Sequence, residues 1–158
     1  MTFLGIEIGN KTDWKYDLLL GMFLAGIFVT LSLFLPSAFA MGVPNMPLSS
    51  ETENFLVTVG IAPVLEEIFF GGVILGVLVW LGVPFWLAIM AVAGVFSGFH
   101  YWAYTQGNYL AVSTPFVGAF VFRVLTSIVS KWRNSLLTGI IFHAGVNLSA
   151  VLSWVVVS

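Results

Sequence analysis

The chain has 158 residues, of which 59% are hydrophobic and 8% charged, with a mean hydropathy of +1.06. A soluble domain of this length has too much surface for its volume to hide so much apolar area, so lipid is the natural solvent. Five basic against seven acidic residues provide no basic stripe for nucleic acid, and the absence of cysteine removes disulfides, thiolate metal sites and a cysteine nucleophile.

A polar, aromatic-flanked head carrying Lys11, Asp13, Trp14, Lys15 and Asp17 precedes a first apolar segment from about Leu18 to Ala40. A second runs from Phe55 to Trp80, a third from Pro84 to Tyr104, a fourth from Tyr109 to Ser130 and a fifth from Ser135 to Val157. Each reaches the ~20 residues that cross a bilayer core as a helix. Turn residues separate them: Pro36, Pro44 and Pro47; Gly82-Val83-Pro84; Gln106-Gly107-Asn108; and Lys131-Trp132-Arg133-Asn134. No alternating pattern suggests a barrel, and lipid demands internal backbone pairing, so the expected fold is all-α, a polytopic bundle of about five membrane-spanning helices. Pro115 is expected to end or kink the start of the fourth helix. Residues 1–54 read as a head, first helix and outer loop, and residues 55–158 as a core of about four helices.

With five spans, Lys11 and Lys15 fall on the same side as Lys131 and Arg133, opposite Glu51 and Glu53. The positive-inside rule then puts the N-terminus in the cytoplasm and the C-terminus outside, in what is expected to be a plasma-membrane protein. Ala38-Phe39-Ala40 has the small-x-small form of a signal-peptidase site, but the apolar run before it is long and its head carries Asp13 and Asp17. An uncleaved first helix is expected.

Glu66, Glu67 and Arg123 lie inside apolar segments, together with both histidines, His100 and His143, and with Asn147. An ionisable group at a helix centre costs roughly 2.5–3.5 kcal/mol on insertion scales, so these residues need partners or a function. Adjacent glutamates are offset by about 100° on a helix, which lets one face a reaction centre while the other holds neighbouring helices. His143 and Asn147 are four residues apart and share a helix face, as do Phe96 and His100. The pairs Gly72/Gly76 and Gly94/Gly98 suggest close helix approach. Taken singly, a buried His or Asn reads as a packing hydrogen bond, and Phe96 as core.

Glu66-Glu67-Ile68-Phe69-Phe70-Gly71, Phe96-Ser97-Gly98-Phe99-His100 and His143-Ala144-Gly145-Val146-Asn147 resemble, in order, the E-E-x-x-x-R, F-x-x-x-H and H-x-x-x-N motifs of the CPBP family. That family comprises CAAX proteases and bacteriocin-processing or immunity proteins. The resemblance covers roughly Phe55 to the C-terminus and departs at Gly71, where the motif has arginine. Arg123 on the fourth segment is the candidate substitute, because an unpaired Arg and an unpaired Glu are each costly in lipid. The other reading has Arg123 reaching for the inner headgroups.

The resemblance implies an intramembrane peptidase acting on a membrane-associated peptide or protein. Glu66 would be the general base, His100 its partner on the attacking water, His143 and Asn147 the oxyanion donors, and Glu67 a supporting residue. A divalent metal such as zinc, held by Glu66, His100 and His143, and a metal-free water-activating site are both open. No H-E-x-x-H motif, serine elbow or Gly-x-Gly-Asp aspartate pair is present. The alternatives are a non-catalytic immunity or scaffold protein that keeps the polar cluster for packing, and a proton- or ion-coupled carrier, which the lack of an internal repeat disfavours.

Overall fold

The computed structural model describes residues 2–3, 6–7, 14–34, 55–106 and 114–157. Five helices make up the bundle: α1 (Trp14–Phe34), α2 (Leu56–Trp80), α3 (Phe85–Gln106), α4 (Thr114–Arg133) and α5 (Leu136–Val157). Thr2–Phe3 (β1) and Ile6–Glu7 (β2) form a two-residue antiparallel pairing ahead of them. By length and composition, α1, α2 and α3 are apolar enough to cross a bilayer, and α5 carries a shorter apolar stretch over Leu136–Val151. α4 departs from a uniformly apolar span because Arg123, Thr126, Ser127 and Ser130 recur every three or four residues and are all buried on one face. Its other side exposes Val117 and Leu125. The whole is an all-α helical membrane bundle.

Helix ends follow the turn residues. Gly82 takes φ +84° in the α2–α3 turn, and Asn134 takes φ 52° in the α4–α5 turn, a left-handed position that asparagine tolerates. Pro115 sits in the first turn of α4, where its missing N–H has no helical partner to lose, so it starts this helix. The loop residues Pro36, Pro44, Pro47, Glu51 and Glu53, together with Lys11, Gly107 and Ala38-Phe39-Ala40, lie outside the described residues.

α1 packs chiefly on α5 and α3 on α4, while α2 meets α3, α4 and α5. Phe28, Phe122 and Phe142 form an edge-to-face cluster where α1, α4 and α5 meet, with centroids 5.2–6.0 Å apart. Of the four glycines expected at close approaches, Gly72 and Gly76 are buried, but Gly94 and Gly98 are not in contact with a neighbouring helix. A Cβ on Gly145 would lie 2.6 Å from that of Ala25, whereas Gly94 and Gly98 have nothing within 4 Å of theirs. Spacing alone does not tell which helix face meets a neighbour and which meets lipid.

Asp17 also differs from its sequence reading as a head residue. It lies in the first turn of α1, is fully buried, and accepts from Arg133 Nε, Ser135 Oγ and Thr138 Oγ1, each at 2.9 Å. Ser135 Oγ in turn accepts the Leu137 N–H at 3.2 Å, capping the start of α5. This clamp brings the beginning of α1 and the α4–α5 turn to one end of the bundle. Lys131 Nζ lies 5.8 Å from the centre of the Phe85 ring, which puts the α2–α3 turn at that end too.

Candidate active site

α2 is wound unevenly. Two stretches, Leu56–Ile61 and Glu67–Ile74, are π-helical, with a regular α turn, Ala62–Glu66, between them. Pro63 accounts for one consequence of this winding. The Ala62 N–H bonds to Val57 O, five residues back, so it is not available to Thr58 O in the α register. In the wider register the donor to Thr58 O would be residue 63, a proline with no N–H. The Thr58 carbonyl takes a side-chain donor instead, Asn147 Nδ2 at 2.9 Å. π-Helical turns often accompany functional sites.

Glu67, Arg123 and His143 form the buried half of the cluster. Arg123 Nη1 donates to Glu67 Oε1 at 2.8 Å, and His143 Nδ1 lies 3.1 Å from the same oxygen. A carboxylate held by a guanidinium is an acceptor, so His143 Nδ1 carries the proton in this contact. Arg123 is fully buried and does not reach for the headgroups; its Nε donates to Ser127 Oγ at 3.3 Å and its guanidinium lies 5.6 Å from the Phe96 ring centre.

Glu66 and His100 form the more open half, with side chains 27% and 20% exposed. His100 Nδ1 lies 2.9 Å from Phe96 O, a carbonyl that can only accept, so Nδ1 is the donor and Nε2 is directed elsewhere. That Nε2 is 3.8 Å from Glu66 Oε2, and His143 Nε2 is 3.7 Å from the same oxygen. Both distances exceed a direct hydrogen bond and suit a contact through water. Glu66 Oε2 is itself buried without a hydrogen-bond partner among the described residues. The two glutamates therefore flank one imidazole, Glu67 at Nδ1 and Glu66 toward Nε2. Phe96 stacks on the His100 ring, tilted by 35° with centroids 4.1 Å apart, and Phe122 meets His143 edge-on at 4.7 Å.

Glu66, Glu67, His100 and His143 thus come together from α2, α3 and α5, with Arg123 from α4 joining through Glu67. Asn147 sits one turn beyond His143, tied to α2 through Thr58. Sequence reading missed Thr58, Ser127 and the role of Pro63. A proline inside an apolar span, five residues after a threonine, is the signal that could have indicated a freed carbonyl. Among the described residues no group of three or more His, Asp or Glu side chains is arranged to hold a metal ion.

The family model of type II CAAX prenyl endopeptidases, Rce1-like, matches residues 48–149, more than half of the chain and all three motifs. No curated protein and no solved structure matches it significantly.

Proposed function

Since the chain belongs to the type II CAAX prenyl endopeptidase Rce1-like family, we propose that it is an intramembrane endopeptidase whose Glu66 and His100 activate water against a peptide carbonyl. The observation that carries this reading is the convergence of two imidazole Nε2 atoms, 3.7 and 3.8 Å away, on a buried carboxylate oxygen that has no hydrogen-bond donor among the described residues. A water there donates one proton to Glu66 and the other to His100 Nε2. Glu66 takes its proton as the water oxygen attacks the scissile carbonyl carbon, and returns it to the departing amine as the C–N bond breaks.

His143 supports the oxyanion. With Nδ1–H given to Glu67, a second proton on Nε2 makes the ring a cationic donor whose charge the Glu67 carboxylate balances. Asn147 contributes its second amide N–H, the first being committed to Thr58 O, a bond that fixes the plane of the amide. Donors held in place beforehand are most effective in a water-poor site. The substrate is a membrane-anchored peptide segment. The basic residues near the starts of α1 and α5 support a cytoplasmic N-terminus and an outer C-terminus.

The decisive assay is cleavage of membrane-tethered peptides, prenylated tails among them, by wild type and Glu66→Gln in nanodiscs. Glu66→Gln keeps the shape and removes the base, so kcat should fall on the order of 10²–10⁴-fold. A panel with no Glu66-dependent product would sink the peptidase reading in favour of a non-catalytic packing role. Metal dependence is read separately: this reaction uses Glu66, His100 and His143 without an ion, so exhaustive chelation should leave kcat unchanged. Loss on chelation with recovery on adding zinc would assign those three residues to a metal instead.

A further inference from the structure

We propose that Gly71 and Arg123 form one interlocked unit, in which a guanidinium from α4 occupies the room of a side chain at position 71 and so positions Glu67 and His143. A Cβ built on Gly71 would lie 2.7 Å from Arg123 Nη2 and 3.2 Å from Glu67 Oε2. The first distance is shorter than real Cβ contacts, so any side chain at residue 71 requires the Arg123 guanidinium to shift. The guanidinium has little freedom to move aside. It is fully buried and is held by Glu67 at 2.8 Å, by Ser127 at 3.3 Å and against the Phe96 ring.

The sequence motif places an arginine at position 71, four residues after Glu67 on the same helix. Here the cation reaches the same carboxylate from another helix, and the vacated side-chain position gives it room. One physical requirement is met by two routes: a buried carboxylate inside a membrane bundle needs a cation beside it. Arginine suits the task because its planar fork can hold Glu67 with Nη1 while Nε engages Ser127.

Arg123 acts on the reaction through other residues. By keeping Glu67 a carboxylate it makes Oε1 an acceptor, which holds a proton on His143 Nδ1 in either charge state of the ring and turns Nε2 toward Glu66. Arg123 is therefore a positioning residue. Its effect on turnover rests on the peptidase reading above; its effect on the imidazole does not.

Histidine ¹⁵N spectra test the unit directly, since the chain has only two histidines and His100→Gln assigns the remaining signal. Uniformly labelled protein in nanodiscs should show one His143 species with Nδ1 protonated. Arg123→Gln should scramble that signature and lower kcat by about 10–100-fold, the size that losing a hydrogen-bonded support gives at other sites, with KM nearly unchanged. Gly71→Ala should do the same by displacing the guanidinium, and should add nothing further in the Arg123→Gln background. The exchange Gly71→Arg/Arg123→Ala should restore both the spectrum and turnover.

An unchanged His143 spectrum in folded Arg123→Gln overturns the proposal. So does a Gly71→Ala effect that adds in full to that of Arg123→Gln, or an exchange variant that fails to fold or to recover the signal. Should Arg123→Gln itself not fold, recovery of fold and spectrum by the exchange variant carries the proposal, and its absence refutes it. A wild type that cleaves nothing defeats the peptidase reading alone, because the spectra still decide the fate of the pair.

Discussion

Replacing Asp17 with alanine tests how the first helix is bound to the rest of the bundle. Its carboxylate accepts three hydrogen bonds at 2.9 Å, from Arg133, Ser135 and Thr138. Bonds to a charged group contribute about 1.5–3 kcal/mol each. Part of that is recovered in the variant: Arg133, 24% exposed at the bundle end, can turn to water, and Ser135 still accepts from Leu137. Thr138, in the first turn of α5, loses its acceptor. A net loss of about 3 kcal/mol remains, and for a chain of this size roughly 2–4 °C per kcal/mol gives a fall in Tm of about 6–12 °C. Thermal unfolding in nanodiscs, followed by tryptophan fluorescence, reads this shift, and Asp17→Asn should give a smaller one. A Tm within about 1 °C of wild type, or full additivity of Asp17→Ala with Arg133→Ala, would refute the clamp. Because Asp17 and α1 brace α5, removal of residues 1–40 as a signal peptide would strip the clamp from the helix that carries His143 and Asn147. Intact-mass measurement of membrane-extracted protein should accordingly find those residues present.

Pro63→Ala supplies the N–H that Thr58 O lacks, so Asn147 should lose its anchor. Turnover should then fall by roughly tenfold with KM little changed, less than the 10²–10³-fold expected for removing an oxyanion donor outright as in Asn147→Ala; equal turnover in wild type and Pro63→Ala would remove the proline from the account. Orientation can be read in the natural cysteine-free background with single cysteines at Leu81 and Lys131. Both should react with impermeant thiol reagents only from the cytoplasmic side, and labelling from opposite sides would contradict the shared bundle end.

Much of the candidate site was legible in the sequence. Ionisable residues are costly in lipid, so Glu66, Glu67, Arg123, His100 and His143 stood out wherever they fell in apolar segments. Fixed helical spacing put His143 and Asn147 on one face before any coordinates were considered. The same local information misplaced Asp17, which sits at the edge of an apolar run and reads as a solvated head residue although it is fully buried. It also pointed to Gly94 and Gly98 for close helix packing, whereas Gly21 and Gly145 carry it between α1 and α5.

The sequence by itself determined the solvent of the fold, the number and order of its helices, and which residues needed an explanation. Those are consequences of composition and of a repeat only a few residues long. Partners were decided by the tertiary structure alone: Arg123 with Glu67, Asn147 with Thr58, and Asp17 with Arg133 are separated by 56, 89 and 116 residues. Which helix faces meet is a property of the whole bundle, and no local pattern encodes it.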